Sequence, residues 1–150
     1  MRWRIAVSYD GAIRAVELDP ARYLLSVTGL VENPMELTLD DLRCMPKVTA
    51  TVNLTCKGFF EDVTTYSGVP LQYILRQARL KDGAKGVRLN GADGYPSYVP
   101  LVEALQADNF LAYEWKDQPL PVLHGFPVRA VIPGMLGYAW AKYLLEISIE

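Results

Sequence analysis

The sequence predicts an α+β fold of layered mixed β-sheets with short helices. Period-two alternation of apolar and polar residues recurs along the chain, most clearly at Thr49–Thr55 and Leu144–Glu150. Helical patterning is confined to short stretches. The two signals do not alternate strictly, which argues against a doubly wound parallel sheet. The length, 150 residues, is that of one domain over residues 1–150.

In chain order, Trp3, Ile5, Val7 and Tyr9 alternate with Arg2, Arg4, Ala6 and Ser8, a strand pattern that ends at the turn dipeptide Asp10-Gly11. Ile13 to Leu18 reads as the return strand, so residues 1–18 form an N-terminal hairpin. Tyr23 to Val31 is a further strand, with Gly29 at a bulge. Thr38 is a helix N-cap with Asp41 in capping-box spacing, and Pro46 stops that helix. Val48, Ala50, Val52 and Leu54 form one face of the next strand, which Lys57-Gly58 ends. A second helix begins with Pro70 at its first position and buries Leu71, Ile74, Leu75 and Ala78. Val87 and Leu89 lie on a strand that enters the turn 90–94. Pro100 opens a short helix through Leu105. Phe110 to Glu114 is a strand, Lys116 to Pro119 a turn, and Val128 to Ile132 a buried strand. In the last strand Leu145, Ile147 and Ile149 share one face.

The hydrophobic share of 51% and charged share of 21% exclude a disordered chain. The net charge of −2 is spread without a basic stripe, so no nucleic-acid partner is expected. No apolar run approaches the ~20 residues of a membrane span. No signal peptide is recognisable, which makes a cytoplasmic location the expectation. Two cysteines do not suggest a secreted disulfide framework.

Cys56 keeps the apolar parity of its strand and sits where the strand gives way to Lys57-Gly58. A thiolate there would ligate a metal, and a neighbouring lysine would favour that form; from parity alone an inert buried cysteine is the commoner reading. Cys44 falls within a short amphipathic helix and reads as core. His124 is the single histidine, in His124-Gly125-Phe126-Pro127-Val128-Arg129. It lacks the partners of a zinc site. It either bonds a loop carbonyl or faces an anion together with Arg129, whose planar fork of donors suits phosphate. No P-loop, G-x-G-x-x-G or G-x-S-x-G is present.

Four ordered segments resemble a known family: 23–34 with 37–42; Thr55-Cys56-Lys57-Gly58-Phe59 with 67–71; Ala92-Asp93-Gly94-Tyr95 with 111–114 and 119–121; and His124 to Arg129 with 131–134, Gly137 and Tyr138. Together, from Asp19 to Glu150, they resemble the molybdopterin-binding domain of oxidoreductases of the sulfite oxidase and methionine-sulfoxide reductase type. The resemblance implies that family's layered fold, one molybdopterin with its molybdenum, and Cys56 as the protein's metal ligand and catalytic residue. It implies that His124, Arg129 and Lys142 bind the cofactor. The expected activity is oxygen-atom transfer, with a small oxyanion or sulfoxide-like substrate and a redox partner protein. The family's Lys-Ser after Gly-Tyr is replaced here by Ala139 and Trp140. That departure supports an alternative, a non-catalytic ligand- or protein-binding module that keeps the fold without the metal.

Overall fold

The computed structural model describes residues 3–7, 14–56 and 60–150. Strand β1 (Trp3–Val7) pairs antiparallel with β2 (Arg14–Leu18), from Trp3 opposite Leu18 to Val7 opposite Arg14. The expected hairpin is therefore formed, while its Asp10-Gly11 turn lies outside the described residues. The chain continues through β3 (Leu24–Gly29), β4 (Met35–Thr38), α1 (Leu39–Arg43), β5 (Val48–Cys56), β6 (Phe60–Pro70) and α2 (Leu71–Ala78). It then forms β7 (Gly86–Gly91), β8 (Pro96–Pro100), α3 (Leu101–Ala104), β9 (Phe110–Trp115), β10 (Gln118–Pro119), β11 (Arg129–Val131) and β12 (Leu144–Ile149). Short 3-10 turns occupy Val122–His124 and Gly137–Ala139.

One sheet has the order β10-β9-β6-β5, with β11 also paired to β9. The other has the order β4-β3-β12-β7-β8. Only β3 and β12 run parallel among the described pairs, which makes the second sheet mixed and the fold α+β as the patterning predicts.

Local chemistry explains several boundaries. Thr38 Oγ1 accepts from the Asp41 amide at 3.0 Å and Asp41 Oδ2 accepts from the Thr38 amide at 2.9 Å, a complete capping box. The second helix buries the four residues its pattern selects, Leu71, Ile74, Leu75 and Ala78. Burying the three large ones stabilises it by roughly 1.5–3 kcal/mol each. Pro70 is the N-cap rather than the first helical residue, because it also ends β6 by pairing with Phe110. Gly29 is the last residue of its strand, with φ 88°, and lies against the Ile149 backbone, where a Cβ would collide.

Two expectations are corrected, and one strand is added. Leu144, not Leu145, is fully buried in β12, because the register with β7 shifts between Leu144 and Glu146 and resets the alternation. Cys44 is exposed and caps the C-terminal end of α1, so it is a free surface thiol rather than a core residue. The helix ends one residue before it, which removes the burial its interior position would have supplied. The strand β6, the longest described, was not foreseen. Its Val63-Thr64-Thr65-Tyr66 run is β-branched and aromatic, yet the glycine and proline that follow mask it.

Among the described residues no helix is long and apolar enough to cross a membrane.

Candidate functional site

The segment from Pro121 to Arg129 is bent into a hook. The His124 amide donates to the Pro121 carbonyl at 2.9 Å and the Gly125 amide to the Val122 carbonyl at 3.1 Å. Gly125 then reverses the chain at φ 108°, and the Phe126–Pro127 peptide is cis. A Cβ at Gly125 would lie 3.0 Å from Lys142 Cβ and Cγ and 3.1 Å from Arg129 Cβ. Glycine thus lets three basic or potentially basic side chains, His124, Arg129 and Lys142, converge on one turn. Strand β11 is held on both sides, by β9 through Arg129 opposite Ala112 and by the Ala130 amide donating to the Ala141 carbonyl at 2.8 Å.

Arg129 is 3% exposed, as its place in an apolar strand requires. A guanidinium buried this far must be richly hydrogen-bonded. Its Nη1 donates to Tyr66 Oη at 3.2 Å and to the His124 carbonyl at 3.1 Å, and its Nη2 to the Trp140 carbonyl at 3.4 Å. It also stands 5.3 Å from the Tyr66 ring centre and 5.8 Å from that of Trp140.

His124 is half-buried and stacks on Trp115, with ring centres 4.9 Å apart and planes 22° apart. Its Nδ1 lies 3.4 Å from Tyr66 Oη. Lys142 is half-buried and donates from Nζ to the Leu123 carbonyl at 3.0 Å, bracing the same turn from the other side. Of the sequence-derived candidates, His124, Arg129 and Lys142 therefore lie together. Tyr66 and Trp115 join them and were missed. Trp115 carried a signal, being part of an aromatic cluster, but Tyr66 is identified only by the β5–β6–β9 register.

Cys56 is described by its backbone. It ends β5 opposite Phe60, six residues beyond Ala50, which pairs with Tyr66. That is roughly 20 Å along an extended strand. β5 also packs against the Gly137–Ala139 turn, and β2 packs against the His124 turn. Among the described residues no three His, Cys, Asp or Glu side chains group as a metal site.

Ala139 and Trp140 are both buried, at 0% and 2% exposure. The Trp140 indole donates to the Ile132 carbonyl at 2.7 Å and to the Met135 carbonyl at 3.1 Å. It is a core residue that fastens the turn following β11.

The chain is similar to several known proteins. It is 35% identical over 163 aligned positions to the mitochondrial sulfite oxidase of Rattus norvegicus, covering 89% of this chain and 30% of that protein. It is 32% identical to a putative protein-methionine-sulfoxide reductase subunit, YedZ1, of Azospira oryzae, covering 95% of this chain and 54% of that protein. The crystal structure of the sulfane dehydrogenase SoxCD from Paracoccus pantotrophus superposes with a TM-score of 0.80 at 25% identity, over 95% of this chain and 43% of that one. The chain thus spans about a third to a half of the length of these relatives. The model of the oxidoreductase molybdopterin binding domain matches residues 11–150, and the chain belongs to that family.

Proposed function

We propose that this chain is a molybdenum-cofactor oxidoreductase domain of the sulfite oxidase type. The observation that carries the reading is the convergence of His124, Arg129 and Lys142 on the Gly125 turn, within a chain of that family. A guanidinium, an imidazole and an ammonium on one turn suit the phosphate of an anionic pterin. In this reading Arg129 is held rigid by Tyr66 and two carbonyls, so its charge is aimed before the cofactor arrives. Lys142 supplies a second positive charge, and His124 a ring donor or acceptor. Cys56 supplies the thiolate that ligates the metal. The thiolate and the basic turn hold different parts of the group, so they need not touch each other. When bound, the group supplies exchange of an oxygen atom with a small oxyanion or sulfoxide-like substrate, with electrons passing to a redox partner protein.

The second reading, a fold relative without the metal, rests on Ala139 and Trp140 standing in place of Lys-Ser. Both side chains are built into the core, which removes two polar cofactor contacts. Elemental analysis separates the two. Protein made in a host that synthesises the cofactor should carry one molybdenum per chain. Cys56→Ser should keep the fold and lose oxygen-atom transfer. Wild-type protein with neither molybdenum nor pterin fluorescence after oxidation selects the second reading.

A further inference from the structure

Tyr66 has the phenol oxygen common to two of the basic residues. It is fully buried on β6, with Oη 3.2 Å from Arg129 Nη1 and 3.4 Å from His124 Nδ1. We propose that Tyr66 is a positioning residue which passes a hydrogen bond from Arg129 to His124 and so holds the imidazole as its Nε2–H tautomer.

The direction follows from the donor inventory. A guanidinium has donors and no acceptor, so at 3.2 Å the phenol oxygen accepts from Arg129. Accepting from a cation polarises the hydroxyl, strengthening its O–H as a donor and weakening its oxygen as a second acceptor. The Tyr66 hydroxyl therefore donates to His124 Nδ1, and the neutral ring carries its proton on Nε2. Two further contacts constrain where the ring lies. Trp115 stacks on its face, and is itself tied by Nε1 donating to Thr64 Oγ1 at 2.6 Å. The Arg129 bond to the His124 carbonyl fixes the backbone beneath it. The outcome is an imidazole that offers a donor, the polarity that a phosphate or carbonyl oxygen needs. The use of that donor on a cofactor oxygen rests on the function proposed above. The tautomer does not.

The sole histidine makes the test direct, because ring-nitrogen resonances of the 15N-labelled full chain belong to His124 alone. Spectra are recorded at about pH 8.5, above the usual histidine range. Wild-type protein should show a pyridine-type Nδ1 and a protonated Nε2, and Tyr66→Phe should shift both nitrogens toward the mixed tautomers of free imidazole. A protonated Nδ1 in the wild type overturns the proposal, whatever the fate of the variant. Unchanged nitrogen shifts in a folded Tyr66→Phe also overturn it. Molybdenum content of the two proteins from a competent host gives the second readout, with occupancy falling about tenfold in Tyr66→Phe. Wild-type protein with the expected tautomer and no molybdenum upholds the tautomer and rejects the cofactor reading.

Discussion

Arg129 Nη1 donates to the main-chain oxygen of His124 at 3.1 Å, so the arginine holds in place the turn that carries the histidine. The two candidates are coupled through the backbone as well as through Tyr66. A substitution at Arg129 is thus expected to disturb His124, and the pair should not behave additively.

Arg129→Ala should destabilise the fold and weaken cofactor retention together. It removes the donor from the Trp140 and His124 carbonyls and from the Tyr66 oxygen, which keeps its bond to His124, at about 1–3 kcal/mol for each group that finds no other partner. Arg129→Lys should recover only part, because one ammonium cannot span three acceptors arranged for a fork. Urea denaturation measures the first effect and molybdenum content the second. A variant that unfolds like wild type contradicts the packing role.

Restoring the family's lysine at position 139 should fail on its own. Ala139 is fully buried and its carbonyl accepts from Ser97 Oγ at 3.2 Å, so Ala139→Lys would place an ammonium in the core. The expected cost is about 3–5 kcal/mol, the range for a buried charge without compensation. Trp140→Phe should cost about 1–3 kcal/mol by stranding the Met135 carbonyl, while the Ile132 carbonyl keeps the Met135 amide as its donor. Thermal melts of both variants check these values. A stable Ala139→Lys would mean that the 137–140 turn opens readily, which favours a cofactor reaching it.

Elements set by neighbouring residues were legible in the sequence. The capping box at Thr38 and Asp41 and the buried face of α2 depend on residues three or four apart, and both are present as read. Elements set by distant partners were not. The register shift in β12 depends on β7, and the place of Tyr66 depends on β5 and β9. Residue chemistry marked His124 and Arg129, but nothing local says that Lys142 touches the same turn. That contact exists because Gly125 has no Cβ and β11 is clamped between β9 and Ala141. The family was legible in the order of segments along the chain, since spacing alone left several chemistries open.

Cys44 should react quickly with thiol reagents, because it is exposed and free at the end of α1. Cys44→Ser should remove that fast reaction and change stability by less than about 0.5 kcal/mol, as for other exposed sites. Mass spectrometry after timed labelling reads this. In that background any remaining modification reports Cys56 alone.

Acid should weaken the start of α1. The amide and hydroxyl of Thr38 hold the Asp41 carboxyl below its ordinary value of 3.8. Its folded-state pKa is lowered, so its contribution is fully present above about pH 3.8 and is lost as pH falls through the folded value. Glu150, held down by Arg88, acts in the same direction from its ordinary value of 4.5. Asp41→Asn should therefore flatten the acid limb of the stability profile while leaving the site unchanged. Denaturation midpoints between pH 2.5 and 6 test it, and an acid limb identical to wild type would remove Asp41 from the account.

Gly68→Ala should damage the sheet that carries the site. Gly68 lies two residues from Tyr66, where the β6–β9 register shifts between Ser67 and Gly68. A Cβ there would collide with the Leu111 carbonyl and the Ala112 Cα, both backbone atoms that cannot rotate away. The strands would have to separate, breaking the ladder that brings Tyr66 beside Trp115 and places Arg129, through β11, on the far side of β9. The expected result is loss of cooperative unfolding or a destabilisation of at least about 3 kcal/mol, with the Trp115 environment altered in fluorescence. Gly83→Ala is the control. It also replaces a glycine, at φ 89°, but a Cβ there meets nothing within 4 Å. Its cost should be confined to the backbone strain of a left-handed residue, about 1 kcal/mol. Gly68 itself lies outside the left-handed region, so equal destabilisation by the two variants would show that the close approach of β6 to β9 does not make Gly68 necessary.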